Sequence, residues 1–222
     1  MERQITIKGI GSLKVPVDFV EMVFNLDEVN KDYKKGYELF ESHISEIQEI
    51  IQKCKFDKKD LKTSELKINP RYEHMNKKGT YVEIFKGYEF YTNMKLCFDF
   101  DPKRLGEVFA LISKSKTAPK VKVEFTVKDK EAVKKNLLGS AAKDAKEKAD
   151  ILCQAMGVKL GQLEKINYNW DEVRIYSPAL YDVEDCGFIG CSPDFNSTGG
   201  IDYTPDDISV EDDACFIWEI TE

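Results

Sequence analysis

The chain has 222 residues, of which 42% are hydrophobic and 33% are charged, a balance typical of a folded globular protein. Its formal net charge of -7 argues against a general nucleic-acid binder, because such proteins need a basic surface to displace counterions from phosphates. No segment reaches the roughly 18 apolar residues of a membrane-spanning helix, so we expect no membrane span.

Two strands and a long helix are predicted in the first quarter of the chain. Ile5 to Ser12 is predicted as a short strand that ends at the Gly9-Ile10-Gly11 sequence, and Val17 to Leu26 as a second, alternating strand. A helix is predicted from about Lys31 to Lys53, with one apolar stripe. The stripe consists of Tyr33, Tyr37, Phe40, Ile44, Ile47, Ile51 and Cys54.

The middle of the chain predicts a hairpin, a short helix and another strand. Leu66 to Tyr72 and Tyr88 to Phe100 alternate between apolar and polar residues, and "HMNKKGTY" between them is predicted as a polar hairpin loop. Asp101-Pro102 is a favourable start for a helix. Val121 to Val127 predicts the next strand.

An alanine-rich helix is predicted between Asp129, as its N-cap, and Gly157, as its C-terminal glycine. Its apolar residues recur at alternating spacings of four and three, as in a coiled coil. They are Leu138, Ala142, Ala145, Ala149, Leu152 and Met156. This stripe can be buried within its own domain, or it can form a subunit interface through Ala142, Ala145, Ala149 and Leu152.

The last part of the chain predicts a strand from Ile166 to Trp170, a long acidic loop at about 176–207, and a closing strand from Ala214 to Ile220. After Arg174 there is no Lys or Arg, while twelve acidic residues follow. The predicted order is ββαββαβαββ. It indicates an α+β fold in which long helices pack on one face of an antiparallel-rich sheet. We expect one domain over residues 1–222, with the acidic loop as an insertion.

The order of four segments resembles the SIMPL domain family, also numbered as domain of unknown function 541. These segments are "ITIKGIGSLKVPVDFVEMVF", "GYEFYTNMKLCFDFDPKRLGEVFALI", the Ala/Lys helix that ends in "MGVKLG", and "DISVEDDACFIWEI". The resemblance implies a bacterial protein that forms homo-oligomers, that has a protein partner, and that is linked to oxidative-stress tolerance. The family has no established catalytic residues, so the resemblance implies none here.

The motifs of common active sites and cofactor sites do not appear, and we predict no catalytic residue and no cofactor. Cys186 and Cys191 flank a short loop and form the one plausible redox pair. Four residues match positions of a calcium loop, Asp194, Asn196, Thr198 and Asp202, but Pro205 stands where a bidentate Glu belongs. His43 and His74 have no neighbouring Cys, Asp or Glu at the spacing of zinc ligands.

Aromatic residues cluster around the predicted central hairpin, interleaved with bases. Such a cluster could stack on single-stranded nucleic acid, but Tyr and Phe are also favoured in strands, where they pack in cross-strand pairs. The acidic chain favours the second interpretation. The aromatic residues are Tyr72, Tyr81, Phe85, Tyr88 and Tyr91, and the bases are Arg71, Lys77, Lys78 and Lys86.

The sequence therefore predicts a non-enzymatic, self-associating binding or scaffold protein that acts in a stress response. The alternative is a thiol-redox enzyme, or another enzyme with an unrecognised site, at the Cys186/Cys191 loop. The N-terminal "MERQITIKGIG" has no apolar signal-peptide core, which predicts a cytoplasmic protein. A periplasmic or envelope location is the alternative if a signal peptide has been removed.

Overall fold

The computed structural model describes residues 3–77, 80–168, 173–183 and 203–222. The eight strands are β1 (Gln4–Val15), β2 (Phe19–Asn30), β3 (Leu61–Lys77), β4 (Thr80–Asp99), β5 (Lys120–Thr126), β6 (Lys159–Tyr168), β7 (Tyr176–Val183) and β8 (Ile208–Thr221). The three helices are α1 (Tyr33–Lys53), α2 (Pro102–Ile112) and α3 (Lys130–Met156). A short 3-10 turn, Lys58–Asp60, precedes β3.

The strands form two sheets, and the α+β class with antiparallel sheets is confirmed. The chain divides into two compact units. Unit 1 comprises residues 1–18, 126–178 and 206–222, and unit 2 comprises residues 19–125 and 179–205. The prediction of one domain over residues 1–222 stays a prediction. No helix in the described ranges is long and apolar enough to cross a membrane.

Unit 1 contains the three-stranded sheet β1-β8-β6 and the helix α3. Both strand pairs are antiparallel, and the first and last strands of the chain lie side by side, with Ile7 opposite Phe216. One core cluster of this unit joins Ala145 and Ala149 of α3 to the sheet. Its other buried members are Ile7, Ala214, Phe216 and Trp218.

Unit 2 contains the five-stranded sheet, in the order β3-β4-β2-β5-β7. From β2 to β5 the elements follow the order β-α-β-β-α-β of a split βαβ, or ferredoxin-like, arrangement. Alternate residues of β2 and β4 are fully buried, together with the inward residues of α1 and α2. These buried side chains include Phe24, Phe40, Phe90, Met94 and Leu105.

The helix termini agree with the sequence predictions. Asp101 and Asp129 cap α2 and α3, and each side chain accepts hydrogen bonds from backbone N–H groups of the first turn. Gly157 ends α3 in the left-handed conformation, with φ 69°. The predicted starts of both helices and the predicted end of α3 are confirmed.

The strand β1 does not end at Gly9-Ile10-Gly11 as predicted but continues to Val15. A Cβ at Gly9 would lie 2.1 Å from the carbonyl oxygen of Ala141, and one at Gly11 would lie 2.1 Å from that of Leu137. The two glycines therefore let the backbone of α3 lie directly on the strand, and they do not mark a turn.

The buried stripe of α3 differs from the predicted coiled-coil stripe. Ala145 and Ala149 are buried as expected, but Leu138, Leu152 and Met156 are 37%, 47% and 77% exposed. The buried residues follow a spacing of four, because an i, i+4 ridge inclined to the helix axis crosses the sheet. They are Val133, Leu137, Ala141, Ala145, Ala149 and Cys153.

The predicted acidic loop at 176–207 is wrong in its first eight residues, which form β7 at the edge of the five-stranded sheet. Tyr181 of this strand packs edge-to-face on Phe125, with ring centroids 5.0 Å apart. Pro178 makes this strand hard to predict from the sequence. Proline is unfavourable in a central strand, but it is accepted at an edge.

The close approach of α3 to β1 predicts opposite effects for two Gly→Ala substitutions. Gly9→Ala should lower the free energy of unfolding by about 2 kcal/mol or more, because the new methyl group overlaps a helix carbonyl. Gly139→Ala should raise it by about 1 kcal/mol, because a Cβ at this exposed position of α3 would meet no atom of another segment within 4 Å. Urea unfolding followed by circular dichroism measures both, and an unchanged midpoint for Gly9→Ala would contradict the contact.

Candidate interaction surfaces

The hairpin of β3 and β4 extends beyond the rest of its sheet. The strand β2 pairs with β4 only from Tyr88 to Asp99, where Asn30 lies opposite Tyr88. Beyond that point, Arg71 to Lys77 and Thr80 to Gly87 pair only with each other. We call these two segments the arm. A two-stranded ribbon is marginally stable in isolation, so an arm of this kind gains stability when another surface packs on it.

Four aromatic rings lie in consecutive contact from the arm to the first turn of α1. The ring centroids of Tyr72 and Phe85 are 5.6 Å apart, those of Phe85 and Tyr88 5.3 Å, and those of Tyr88 and Tyr33 5.2 Å, all in edge-to-face geometry. We call these four residues the aromatic row. Tyr72, Phe85 and Tyr33 are 51%, 41% and 48% exposed.

A break in strand register places Phe85 and Tyr88 on the same face. Residues three apart in a regular strand point to opposite faces. Here Arg71 pairs with Gly87 and Tyr72 pairs with Phe85, so Lys86 is left out of the ladder as a bulge. Gly87 has φ +144°, and a Cβ there would lie 2.5 Å from the carbonyl oxygen of Asn30. The bulge thus depends on glycine at position 87.

The end of the row on α1 is fixed by the start of that helix. Asp32 caps α1 by accepting a hydrogen bond from the Lys35 N–H at 3.1 Å, and its own N–H donates to the Asn30 side chain at 2.9 Å. Tyr33 is the first residue of the helix and also contacts the buried Phe90, at 5.8 Å. The row is therefore anchored in the core of unit 2.

The structure brings together three of the five aromatic residues that the sequence grouped at the hairpin, Tyr72, Phe85 and Tyr88. Tyr91 follows the buried Phe90 on the opposite face of β4, and the side chain of Tyr81 lies outside the described residues. The sequence analysis missed Tyr33, because its helical spacing placed it in the buried stripe of α1. Tyr33 and Tyr37 are instead both exposed.

Charged side chains on the face of the hairpin opposite to the row form pairs of opposite sign. Arg71 lies 3.1 Å from Glu89, and Lys86 contacts Glu73. The hydrogen bond and charge of Lys86 lower the pKa of Glu73. The side chains of these two bases therefore already have carboxylate partners.

The four edge strands of the two sheets carry features that oppose strand addition. Each of β3 and β7 contains a proline, Pro70 and Pro178. The pairing of β6 with β8 shifts register twice within ten residues, at Leu160/Leu163 and Leu163/Lys165.

The outer edge of β1 is covered by side chains of α3. The Ile10 N–H donates to Asp144 Oδ2 at 2.7 Å, and Lys148 Nζ donates to the Lys8 carbonyl at 3.4 Å. Lys148 also pairs with Asp144 at 2.6 Å. The N–H of Ile10 lowers the pKa of Asp144, and Lys148 lowers it further. Asp144 and Lys148 thus form hydrogen bonds with backbone groups of β1 that an added strand would have to pair with.

The predicted interface residues of α3 fall into two groups. Ala145 and Ala149 are buried within unit 1, so their surface is already used by the chain itself. Ala142 and Leu152 are exposed. An interface at these two exposed residues stays a prediction.

Each histidine contacts a single carboxylate among the described residues. His43 Nδ1 contacts the carboxylate of Glu28, and His74 lies 3.6 Å from Glu83 across the arm. Near His43, Glu46 joins α1 to the loop before β5, because it accepts hydrogen bonds from the Thr117 hydroxyl and the Lys116 N–H. The Thr117 bond is the main cause that lowers the pKa of Glu46. No group of three metal-ligating side chains occurs among the described residues.

The predicted redox and calcium residues lie outside the described ranges. They are Cys186, Cys191, Asp194, Asn196, Thr198 and Asp202. The described Cys54 is buried, and this burial raises the pKa of its thiol, with a further contribution from the charge of Glu107. A raised pKa makes a thiol less nucleophilic at neutral pH.

Comparison with known proteins places the chain in a family. The sequence profile of SIMPL, described as a protein of unknown function (DUF541), matches residues 5–211. The chain belongs to the SIMPL family. No curated protein matches it. The SIMPL match extends from β1 into the start of β8 and includes all of unit 2, with the aromatic row, and most of unit 1.

The edge contact of Asp144 predicts a pH effect on the stability of this SIMPL chain. Because the pKa of Asp144 is lowered in the folded state, its carboxylate stabilises the fold above the ordinary Asp pKa of about 3.9 and loses this effect as the pH falls below it. Asp144→Asn should therefore be less stable than the wild type at pH 7, and the two should converge towards pH 3.

Urea unfolding at pH 7, 4 and 3 measures this convergence. Asp150→Asn makes the same chemical change at an exposed position of the same helix, and at pH 7 it should reduce stability less than Asp144→Asn. Equal stability of Asp144→Asn and the wild type at pH 7 would contradict a role for the carboxylate at the β1 edge.

Proposed function

We propose that this SIMPL protein is a non-enzymatic binding or scaffold module that associates with copies of itself. One observation carries the proposal. The aromatic row continues from the core of unit 2 onto the two-stranded arm, and three of its four side chains, Tyr33, Tyr72 and Phe85, are about half exposed. Exposed aromatic rings in a continuous patch are typical of the centre of a protein interface.

The rigidity of the row supports this role. Each ring packs on the next, and Tyr33 also packs on Phe90, which is fully buried. Rings held in this way lose little conformational entropy when a partner covers them. The row therefore offers a preformed surface, and binding can use its apolar area without first ordering the side chains.

The protected sheet edges support association through side-chain surfaces. Strand addition needs a free row of backbone groups, and prolines, bulges or helix side chains interrupt that row on the four edge strands. We therefore propose that the contacts of the assembly are made by faces such as the aromatic row.

We propose a stress response as the biological setting, on the basis of the family resemblance. Cells that lack the protein should then survive peroxide treatment less well than cells that retain it, and the gene supplied in trans should restore survival. Equal survival of the two strains would remove this part of the proposal.

Two substitutions on the arm test the role of the row. Phe85 and Val82 are both 41% exposed, but register places them on opposite faces of the arm. Phe85→Ser should weaken self-association by about thirtyfold, which corresponds to about 2 kcal/mol for an interface aromatic residue. Val82→Ser should leave the association within about threefold of the wild type.

Light scattering on a gel-filtration column, over a range of protein concentrations and at two salt concentrations, measures the mass. Circular dichroism checks that both variants are folded. A wild-type chain that stays monomeric at every concentration would overturn the proposed self-association, and equal effects of the two variants would overturn the role of the row.

A further inference from the structure

We propose that the row face of the arm docks against the same face of a second copy, with the two arms related by a two-fold axis. The row face consists of Tyr72, His74, Glu83 and Phe85, which cross-strand pairing places on one side. This inference rests on the proposed self-association and specifies its contact surface.

The first support is the exposed area. Tyr33 and Tyr37 of α1, at 48% and 45% exposed, add to the row face at the base of the arm. The side chains of His74 and Glu83 are 65% and 64% exposed. The four residues of the row face together with Tyr33 and Tyr37 make six side chains. At roughly 100 Å² of exposed surface for each half-exposed side chain, they offer about 600 Å² per copy. Two copies then bury about 1,200 Å², the lower limit of a stable protein interface.

The area also favours a partner that brings its own arm. The three exposed rings of the aromatic row alone offer about 300 Å², which is too little for a specific protein contact. The contact reaches the necessary size when residues of the arm are covered as well. A second copy with its own arm provides such a partner, because each row face then covers the other.

The second support is the charge of the surface. A two-fold contact brings a surface against itself, so a surface with a large net charge would repel its own copy. The row face has a single carboxylate, Glu83, and a single imidazole, His74, 3.6 Å apart, so its net charge is small whether or not the imidazole is protonated. About a two-fold axis, the imidazole of each copy can lie against the carboxylate of the other.

A charge-swap experiment distinguishes arm-to-arm contact from any other association. Glu83→Lys makes the row face positive, and His74→Glu makes it negative. Each variant alone should associate at least tenfold more weakly than the wild type, because like charges meet across the axis. An equimolar mixture of the two should regain association, because opposite charges then meet. Analytical ultracentrifugation at several protein concentrations measures the strength of association of each variant and of the mixture.

The control is Glu131→Lys, which makes the same charge change on α3, where the Glu131 side chain is 71% exposed. It should associate as the wild type does. Circular dichroism establishes that each variant is folded, and recovery in the mixture excludes a damaged arm as the cause of the single-variant losses.

The outcomes separate this inference from the proposed function. A monomeric wild type overturns both. An associated wild type whose mass is unchanged by Glu83→Lys and His74→Glu retains the proposed function but overturns the arm-to-arm contact. Loss of association in both variants without recovery on mixing also overturns it, because the arm then touches a different surface. Loss in each variant followed by recovery in the mixture supports it.

Discussion

The direct contact between the α3 backbone and β1 is the constraint on which unit 1 depends. Because Gly9 and Gly11 have no side chains, the carbonyl oxygens of Ala141 and Leu137 can lie 2.1 Å from the positions that Cβ atoms would take. A helix this close to a strand can use alanine for its buried stripe, and its polar residues reach past the strand to the backbone edge. The close approach of the α3 backbone to β1 thus accounts for three features. They are the small buried residues of the helix, the core cluster that they form with the sheet, and the contact of Asp144 and Lys148 with the β1 edge.

This SIMPL chain combines protected sheet edges with an exposed arm. Uncontrolled strand addition leads to aggregation, and prolines, bulges and helix side chains oppose it at the sheet edges. The arm shows the opposite arrangement, with aromatic rings that are about half exposed and that pack on one another. A surface that is exposed but preorganised favours a defined partner, since geometry then decides which contacts can form.

Local chemistry made much of this fold predictable. Alternation predicted β2, β5 and the part of β4 from Tyr88 onward, and Asp101, Asp129 and Gly157 marked helix ends, because strand faces and caps depend on neighbouring residues. The α3 stripe was wrong at Leu138 and Leu152, since the sheet selects a ridge that the helical period alone does not specify. The aromatic row was only partly predictable. Its geometry depends on a bulge at Lys86 and on the approach of Tyr33 from another element, and neither is encoded in one segment.

The pairing of β1 with β8 also determines the order in which the chain can fold during synthesis. Strands β2 to β5 are adjacent in sequence, so their sheet can assemble while the later residues are still being made. The strand β1 emerges first, yet its hydrogen-bonding neighbour is the last strand to emerge. Until then its glycine-containing segment has no sheet to join. Slow, late completion of unit 1 is the expected kinetic consequence, since contacts distant in sequence close with a large entropy cost.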